Sequence, residues 1–139
     1  MPTRFESRRR ALQVLYLWDM RRQPVEEAVQ AYYETLYSEE ETEKPEPDPF
    51  MEELVAGTVG KLTELDEVIT KFASNWRLDR MPVVDRNLLR LAIFEMRYYG
   101  TPAPVAIDQA LDLARRFSGD ESVKFVNGVL DSIRKAYVD

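Results

Sequence analysis

The sequence predicts an all-α, single-domain bundle of about seven helices, and three observations carry that expectation. Apolar residues recur at three- and four-residue spacing in almost every segment. Prolines, glycines and capping residues fall chiefly between those stripes. No stretch alternates apolar and polar residues as a half-buried strand would.

The elements follow in chain order. Thr3-x-x-Glu6 resembles a capping box and opens a first helix over about 4–21, with Ala11, Val14, Leu15 and Trp18 on one arc. Pro24 suits the first turn of a second helix, whose stripe is Val25, Ala28, Val29, Tyr32 and Leu36. Residues 38–49 are rich in Glu and Pro and are expected to form an exposed, mobile acidic loop. Asp48-Pro49 reads as an N-cap followed by proline, starting a third helix with Phe50, Met51, Leu54, Val55 and Leu62. Thr63-x-x-Asp66 is expected to cap a fourth, with Leu65, Val68, Ile69, Phe72 and Trp76 inward. Pro82 opens a fifth, carrying Val84, Leu88, Leu91, Ala92 and Met96 and stopping at Gly100. Pro102 and Pro104 bracket the entry to a sixth, with Ile107, Ala110, Leu111, Ala114 and Phe117, which Gly119 ends. The stripe of the seventh is Val123, Val126, Leu130, Ile133 and Tyr137.

Composition narrows the chemistry. The chain of 139 residues holds no cysteine and no histidine, which removes disulfides, Cys/His zinc sites, His-activated nucleophiles and imidazole acid–base catalysis. No glycine-rich phosphate loop or metal-ligand spacing replaces them, so no catalytic residue, metal or cofactor is expected. No apolar run approaches the roughly 20 residues that span a bilayer. Met1-Pro2-Thr3-Arg4 lacks a secretory stretch, and with the missing cysteine this suggests a cytoplasmic protein.

The net charge of −6 argues against nucleic acid globally, but its distribution does not. Residues 1–22 carry Arg4, Arg8, Arg9, Arg10, Arg21 and Arg22 against Glu6 and Asp19, whereas 23–53 carry Lys44 alone against a run of acids. Such asymmetry suggests a local basic site on a repelling surface.

On the first helix Arg9, Leu12, Gln13 and Tyr16 point away from the main stripe. Leu12 and Tyr16 therefore form a second apolar patch, read either as a surface for a partner or as a central helix packed on both sides. Arginines at a helix start oppose the macrodipole, which favours an anionic ligand over a merely solvated turn. On the last helix Phe125 lies at the rim of the stripe beside Lys124. It either closes the core or stacks an unpaired base while the lysine meets phosphate. Asn127 suits RNA or a neighbouring backbone equally. Gly128, costing roughly 1 kcal/mol inside a helix, suggests the close approach of another helix. Asp85, Arg86 and Arg90 read from their spacing as a solvated or locally paired face.

Taken together, Arg8-Arg9-Arg10-Ala11-Leu12-Gln13-Val14-Leu15-Tyr16, the segments Trp76–Arg80 and Val83–Ala92, Pro104–Ala110 and Lys124–Asp131 resemble the NusB family nearly end to end. The acidic 38–49 stretch has no counterpart in that resemblance. The resemblance implies two packed small helical bundles, divided near residues 62 and 63. It also implies a factor in transcription antitermination that binds single-stranded boxA RNA with NusE, a small-subunit ribosomal protein, notably in ribosomal RNA operons. Other Nus factors and RNA polymerase would be met indirectly, and a homodimer is a further possible assembly. By position, RNA contact falls on Arg8, Arg9, Arg10 and Gln13 with Glu121, Lys124 and Phe125. The NusE-facing surface falls on Tyr16, Asp85, Arg86 and Arg90. Arg9 and Arg10 stand where some relatives carry non-basic residues. An acidic protein is expected to bind RNA weakly alone, with a basic partner completing the groove. Two rivals belong to other classes: the RNA-binding accessory domain of an RNA cytosine methyltransferase, and a helical adaptor or homodimer that binds no RNA. No cofactor-binding βαβ pattern and no cysteine support the former.

Overall fold

The computed structural model describes the backbone of residues 2–40 and 46–137, and their side chains apart from those of 36–40. Seven α-helices are present among the described residues: α1 (Arg4–Arg21), α2 (Val25–Glu40), α3 (Pro49–Gly60), α4 (Leu62–Phe72), α5 (Val83–Phe94), α6 (Ala103–Phe117) and α7 (Asp120–Tyr137). No strand occurs among them.

Local chemistry sets most of the boundaries. The Glu6 backbone N–H donates to Thr3 Oγ1 at 3.1 Å, and Asp48 Oδ1 caps α3 by accepting from the Met51 N–H at 3.1 Å. Arg22 closes α1 in the left-handed region at φ 56°. Pro82 and Pro102 stand immediately before α5 and α6. Gly119 separates α6 from α7 at φ 130°, a conformation that favours glycine.

Several expected boundaries are corrected. α2 continues through Ser38 to Glu40, and Asp48 is buried rather than part of an exposed loop. Residues 41–45 and the side chain of Leu36 lie outside the described residues. The turn into α4 is so tight that Lys61 precedes it directly; Thr63 is exposed inside the helix and caps nothing. α4 stops at Phe72, leaving Trp76 beyond the helix and 55 % exposed. Phe117 and Tyr137, at helix ends, are also exposed, at 43 % and 40 %. The fifth helix reaches Gly100 only by widening into a π turn, Glu95–Tyr99, which Gly100 closes at φ 85°.

Packing is organised on α1 and α5. Each of the other helices lies against one or both of them. The main apolar cluster runs from Ala11, Val14 and Leu15 through Met51, Leu54 and Ile69 to Ile93, Val126 and Ile133, continuous across the expected division near residue 62. A smaller cluster joins Leu12, Leu88, Leu113 and Ala114 to Phe5, Val84 and Val123. Leu12 is therefore packed on both sides of α1, as the second of its two readings held.

Gly57 was not singled out by its sequence context, yet it fixes the α3–α5 approach. A methyl group there would run into the tip of the Phe94 ring, whose Cζ and Cε atoms fill the space above Gly57. We expect Gly57→Ala to destabilise the protein, because overpacking of about 1–3 kcal/mol exceeds the roughly 1 kcal/mol gained in helix propensity. A lower denaturation midpoint at unchanged slope would show it.

Candidate nucleic-acid and partner interface

Three successive arginines on a helix diverge by about 100° each, and here they meet three different surroundings. Arg8 turns inward. Its Nε donates to Glu95 Oε1 and Oε2 at 3.1 and 2.9 Å, and its Nη2 to Oε1 at 2.8 Å. Its Nη1 reaches Gln109 Oε1 at 3.1 Å. Both ions are buried, with 6 % and 2 % of their surface exposed. Arg10 pairs with Asp48 at 3.5 Å, and Ser7 Oγ donates to the same carboxylate at 2.9 Å. Arg9 alone of the three has no ion pair among the described residues, and it borders a groove. Arg8, expected as an RNA contact, is instead committed to a buried ion pair, and Arg10 leans on Asp48 at 3.5 Å.

The groove encloses about 670 Å³ between α1 and α2, with Val84 of α5 and Phe117 of α6 on the far wall. Its α1 side presents Arg9, Leu12, Gln13, Tyr16, Leu17 and Arg21. Tyr16 is 41 % exposed and Phe117 43 %, so two aromatic rings face solvent across a buried Leu12. Gln13 is held by a hydrogen bond from Tyr32 Oη at 2.9 Å. The sequence had offered Arg9, Gln13 and Tyr16; Leu17 and Arg21 continue the same four-residue series on α1, whereas Val84 and Phe117 arrive from other helices that no spacing in the chain could have joined.

Asp85, Arg86 and Arg90 do not face the groove as partner-binding residues. Asp85 is buried and accepts from Ser118 Oγ at 2.8 Å and Ser122 Oγ at 2.9 Å, tying the start of α5 to the α6–α7 junction. Arg86 Nε, Asn87 Nδ2 and Arg90 Nη1 converge on Asp19 Oδ2 at 2.7, 2.9 and 3.0 Å. Arg90 also grips Asp66 through Nε and Nη2 at 2.8 and 3.1 Å. The expected partner role is corrected to a charged lock between α1, α4 and α5. The face is neither solvated nor, apart from the Arg90–Asn87 bond, paired within its own helix, since its partners come from distant segments of the chain.

The head of α7 adjoins the groove through Val123, which packs with Leu12, Phe5 and Val84. Glu121, Lys124, Asn127 and Gly128 are exposed. Phe125 is half-buried with its ring edge-on to Trp76 at 5.8 Å. The neighbours of Arg8 are Glu95, Gln109 and Phe50, so the structure does not bring Arg8 and Phe125 into one strip. Gly128 is corrected too: a methyl group there would meet nothing within 4 Å, so no neighbouring helix explains it.

No group of three or more His, Cys, Asp or Glu able to hold a metal occurs among the described residues. None of the described helices is long and apolar enough to cross a membrane.

The geometry defines an all-helical protein with an open, basic and aromatic groove beside a polar helix face, built for association with other macromolecules. Residues 6–135 match the NusB family, and the chain belongs to it. It is 61 % identical over 135 residues to the transcription antitermination protein NusB of Solibacter usitatus (strain Ellin6076), covering 97 % of this chain and 90 % of that one. The NusB protein of Bacillus subtilis (strain 168) is 43 % identical over 129 residues, 92 % of each chain. The fold matches a crystal structure of antitermination factors NusB and NusE in complex with dsRNA, with a TM-score of 0.83 and 30 % identity, over 96 % of this chain and 97 % of that one. T. maritima NusB gives the same TM-score of 0.83 at 29 % identity, over 99 % and 94 %.

Two outcomes test the internal role of the charges. Arg8→Ala should destabilise the fold by about 3–5 kcal/mol, because Glu95 is left buried without its cation. A chemical-denaturation series checks this. Burial opposes ionisation of Asp19, but the hydrogen bonds from Arg86 and Asn87 and the charges of Arg90 and Arg86 outweigh it, holding the carboxyl below its ordinary 3.8. Its stabilising contribution is therefore complete above the unfolded-chain value and drains away as pH falls through the lower folded one. Asp19→Asn should flatten the acid limb of stability measured below about pH 4.

Proposed function

We propose that the protein is a cytoplasmic, non-catalytic transcription antitermination factor that binds single-stranded boxA RNA jointly with the ribosomal protein NusE, in support of ribosomal RNA operons. The observation that carries this reading is the divergence of the arginine triplet. Two arginines are spent internally, while Arg9 remains unpaired over an aromatic groove. A relative crystallised with NusE and dsRNA supports NusE and an RNA as ligands here, the single-stranded form being this proposal's own.

A division of labour follows from exposure. The groove, with Tyr16, Leu17 and Phe117, suits a protein surface, because exposed aromatics over an apolar floor are good anchors. Arg9 and the α7 face of Glu121, Lys124 and Asn127 suit RNA: the cations meet phosphate, and the polar groups meet base edges. Phe125 supports that face from beneath by bracing Trp76, whose ring is the more exposed of the two and the better stacking platform. Gly128 leaves the helix surface low beside Asn127, room for a close backbone approach by RNA.

A titration of boxA oligonucleotide with and without NusE, at two salt concentrations, is the direct test. Affinity should rise sharply with NusE, and equal affinity in both arms would overturn the reading. Arg9→Ala should leave stability nearly unchanged while lowering the salt slope of RNA binding by about 0.7, the share of one phosphate contact to a single strand. Gly128→Ala should raise the melting temperature, because an exposed helical glycine costs roughly 1 kcal/mol, yet weaken RNA binding. Unweakened binding would return Gly128 to a role in neither packing nor recognition.

A further inference from the structure

A second row of cations and rings lies at the far end of α5 from the groove. Val84 lines the groove and Arg97–Tyr99 close the π turn, so about 20 Å of helix at 1.5 Å per residue separates them. The wider π turn buries Glu95 and Met96 and turns three successive residues, Arg97, Tyr98 and Tyr99, outward. Glu95 is drawn inward by Arg8, and its backbone oxygen accepts from the Thr101 N–H at 3.1 Å, so the turn is anchored from inside.

The cations here sit on rings rather than on carboxylates. Lys61 lies 4.9 Å from the Tyr98 ring, and Arg97 lies 5.6 Å from it and 4.5 Å from the Tyr137 ring. Lys71 reaches Tyr137 Oη at 3.2 Å. Toward α1 the row continues through Tyr99 to Phe50, 5.6 Å between centroids, with the Arg4 guanidinium 3.9 Å above the Phe50 ring. Arg4, Lys61, Lys71 and Arg97 make no ion pair among the described residues, unlike Arg8, Arg10, Arg86 and Arg90.

Tyr98, Tyr99 and Tyr137 are each 38–40 % exposed. Two are held in place: Tyr99 Oη donates to Glu53 Oε2 at 2.6 Å, and Tyr137 accepts from Lys71. Glu53 is the one carboxylate bound into the row by these contacts, and it engages the Tyr99 hydroxyl.

We propose that this row is a second, sequence-tolerant contact strip for single-stranded RNA, separate from the groove and the α7 head. Pre-oriented rings with half-open faces stack successive bases, and unpaired cations between them track the phosphates. In a protein of net charge −6, four cations without a carboxylate partner, interleaved with exposed rings along one surface, mark a place where a polyanion is tolerated. RNA engaged at Arg9 and the α7 face would extend onto the strip beyond its recognition element.

The test uses the full chain and an oligouridylate of about 16 nucleotides, within the site range of single-strand binders. Combined Lys61→Glu, Lys71→Glu and Arg97→Glu should weaken its binding by roughly tenfold or more and cut the salt slope by about 2, three phosphate contacts' worth. Tyr98→Leu, with all charges kept, should weaken binding while leaving the salt slope alone. Arg9→Ala should have little effect on this probe, which separates the strip from the groove. Should the triple variant not fold, photo-crosslinking of the unaltered protein to thiouridine-substituted RNA decides, with adducts expected at Tyr98, Tyr99 or Tyr137. Undiminished binding by a folded triple variant, or adducts confined to the groove and α7, overturns the proposal. So does a loss seen only in binding an acidic protein, with oligouridylate binding intact.

Discussion

The crossing of α1 over α5 is the constraint on which the other features depend, and buried charge locks it near both ends. Near the start of α1, Arg8 is forked onto Glu95; near its end, Asp19 gathers Arg86, Asn87 and Arg90. Between the two lie the fully buried Ala11, Val14 and Leu15. Apolar packing supplies most of the stabilisation, but it is tolerant of small sliding and rotation. A bidentate ion pair is not, because a shift of an ångström leaves a buried charge poorly matched. The locks thus act on register: they decide which face of α1 is turned to α5 and therefore which residues reach the groove.

That register explains why function and stability are interleaved residue by residue. Ser7, Arg8 and Arg10 serve the fold and Arg9 the surface, and one turn later Leu12 is buried where Tyr16 is open. The same Arg8–Glu95 pair holds the π turn that exposes Tyr98 and Tyr99 at the opposite end of α5. One interior interaction therefore positions two separate surfaces. Both are basic and aromatic on a protein whose net charge is −6.

The resemblance to the NusB family was legible in ordered motifs across the chain, and the family match over residues 6–135 agrees with it. Individual roles transferred less well. Asp85, Arg86 and Arg90 stand in a recognisable motif, but a motif records which residues occur together and not whether they look outward. Here Asp85 meets Ser118 and Ser122, more than thirty positions away in sequence, and Arg86 meets Asp19 across a helix interface. Tyr33 shows the same effect on a smaller scale. Burial first, and then its bond to Glu52, push its hydroxyl up to about 12, although the backbone N–H of Asp48 donates to it.

Periodicity, proline placement and caps determined the helices by themselves, since each depends on neighbours within about four residues. Thr3, Asp48, Pro82, Pro102 and Gly119 mark helix ends in the structure as they do in the chain. The composition likewise removed whole classes of chemistry before any packing was known. Which arginine stays clear of carboxylates and which is tied inward was decided only by tertiary structure. A guanidinium's availability depends on whether a carboxylate lies within a few ångströms, and those carboxylates, Glu95 for Arg8 and Asp48 for Arg10, come from distant segments of the chain.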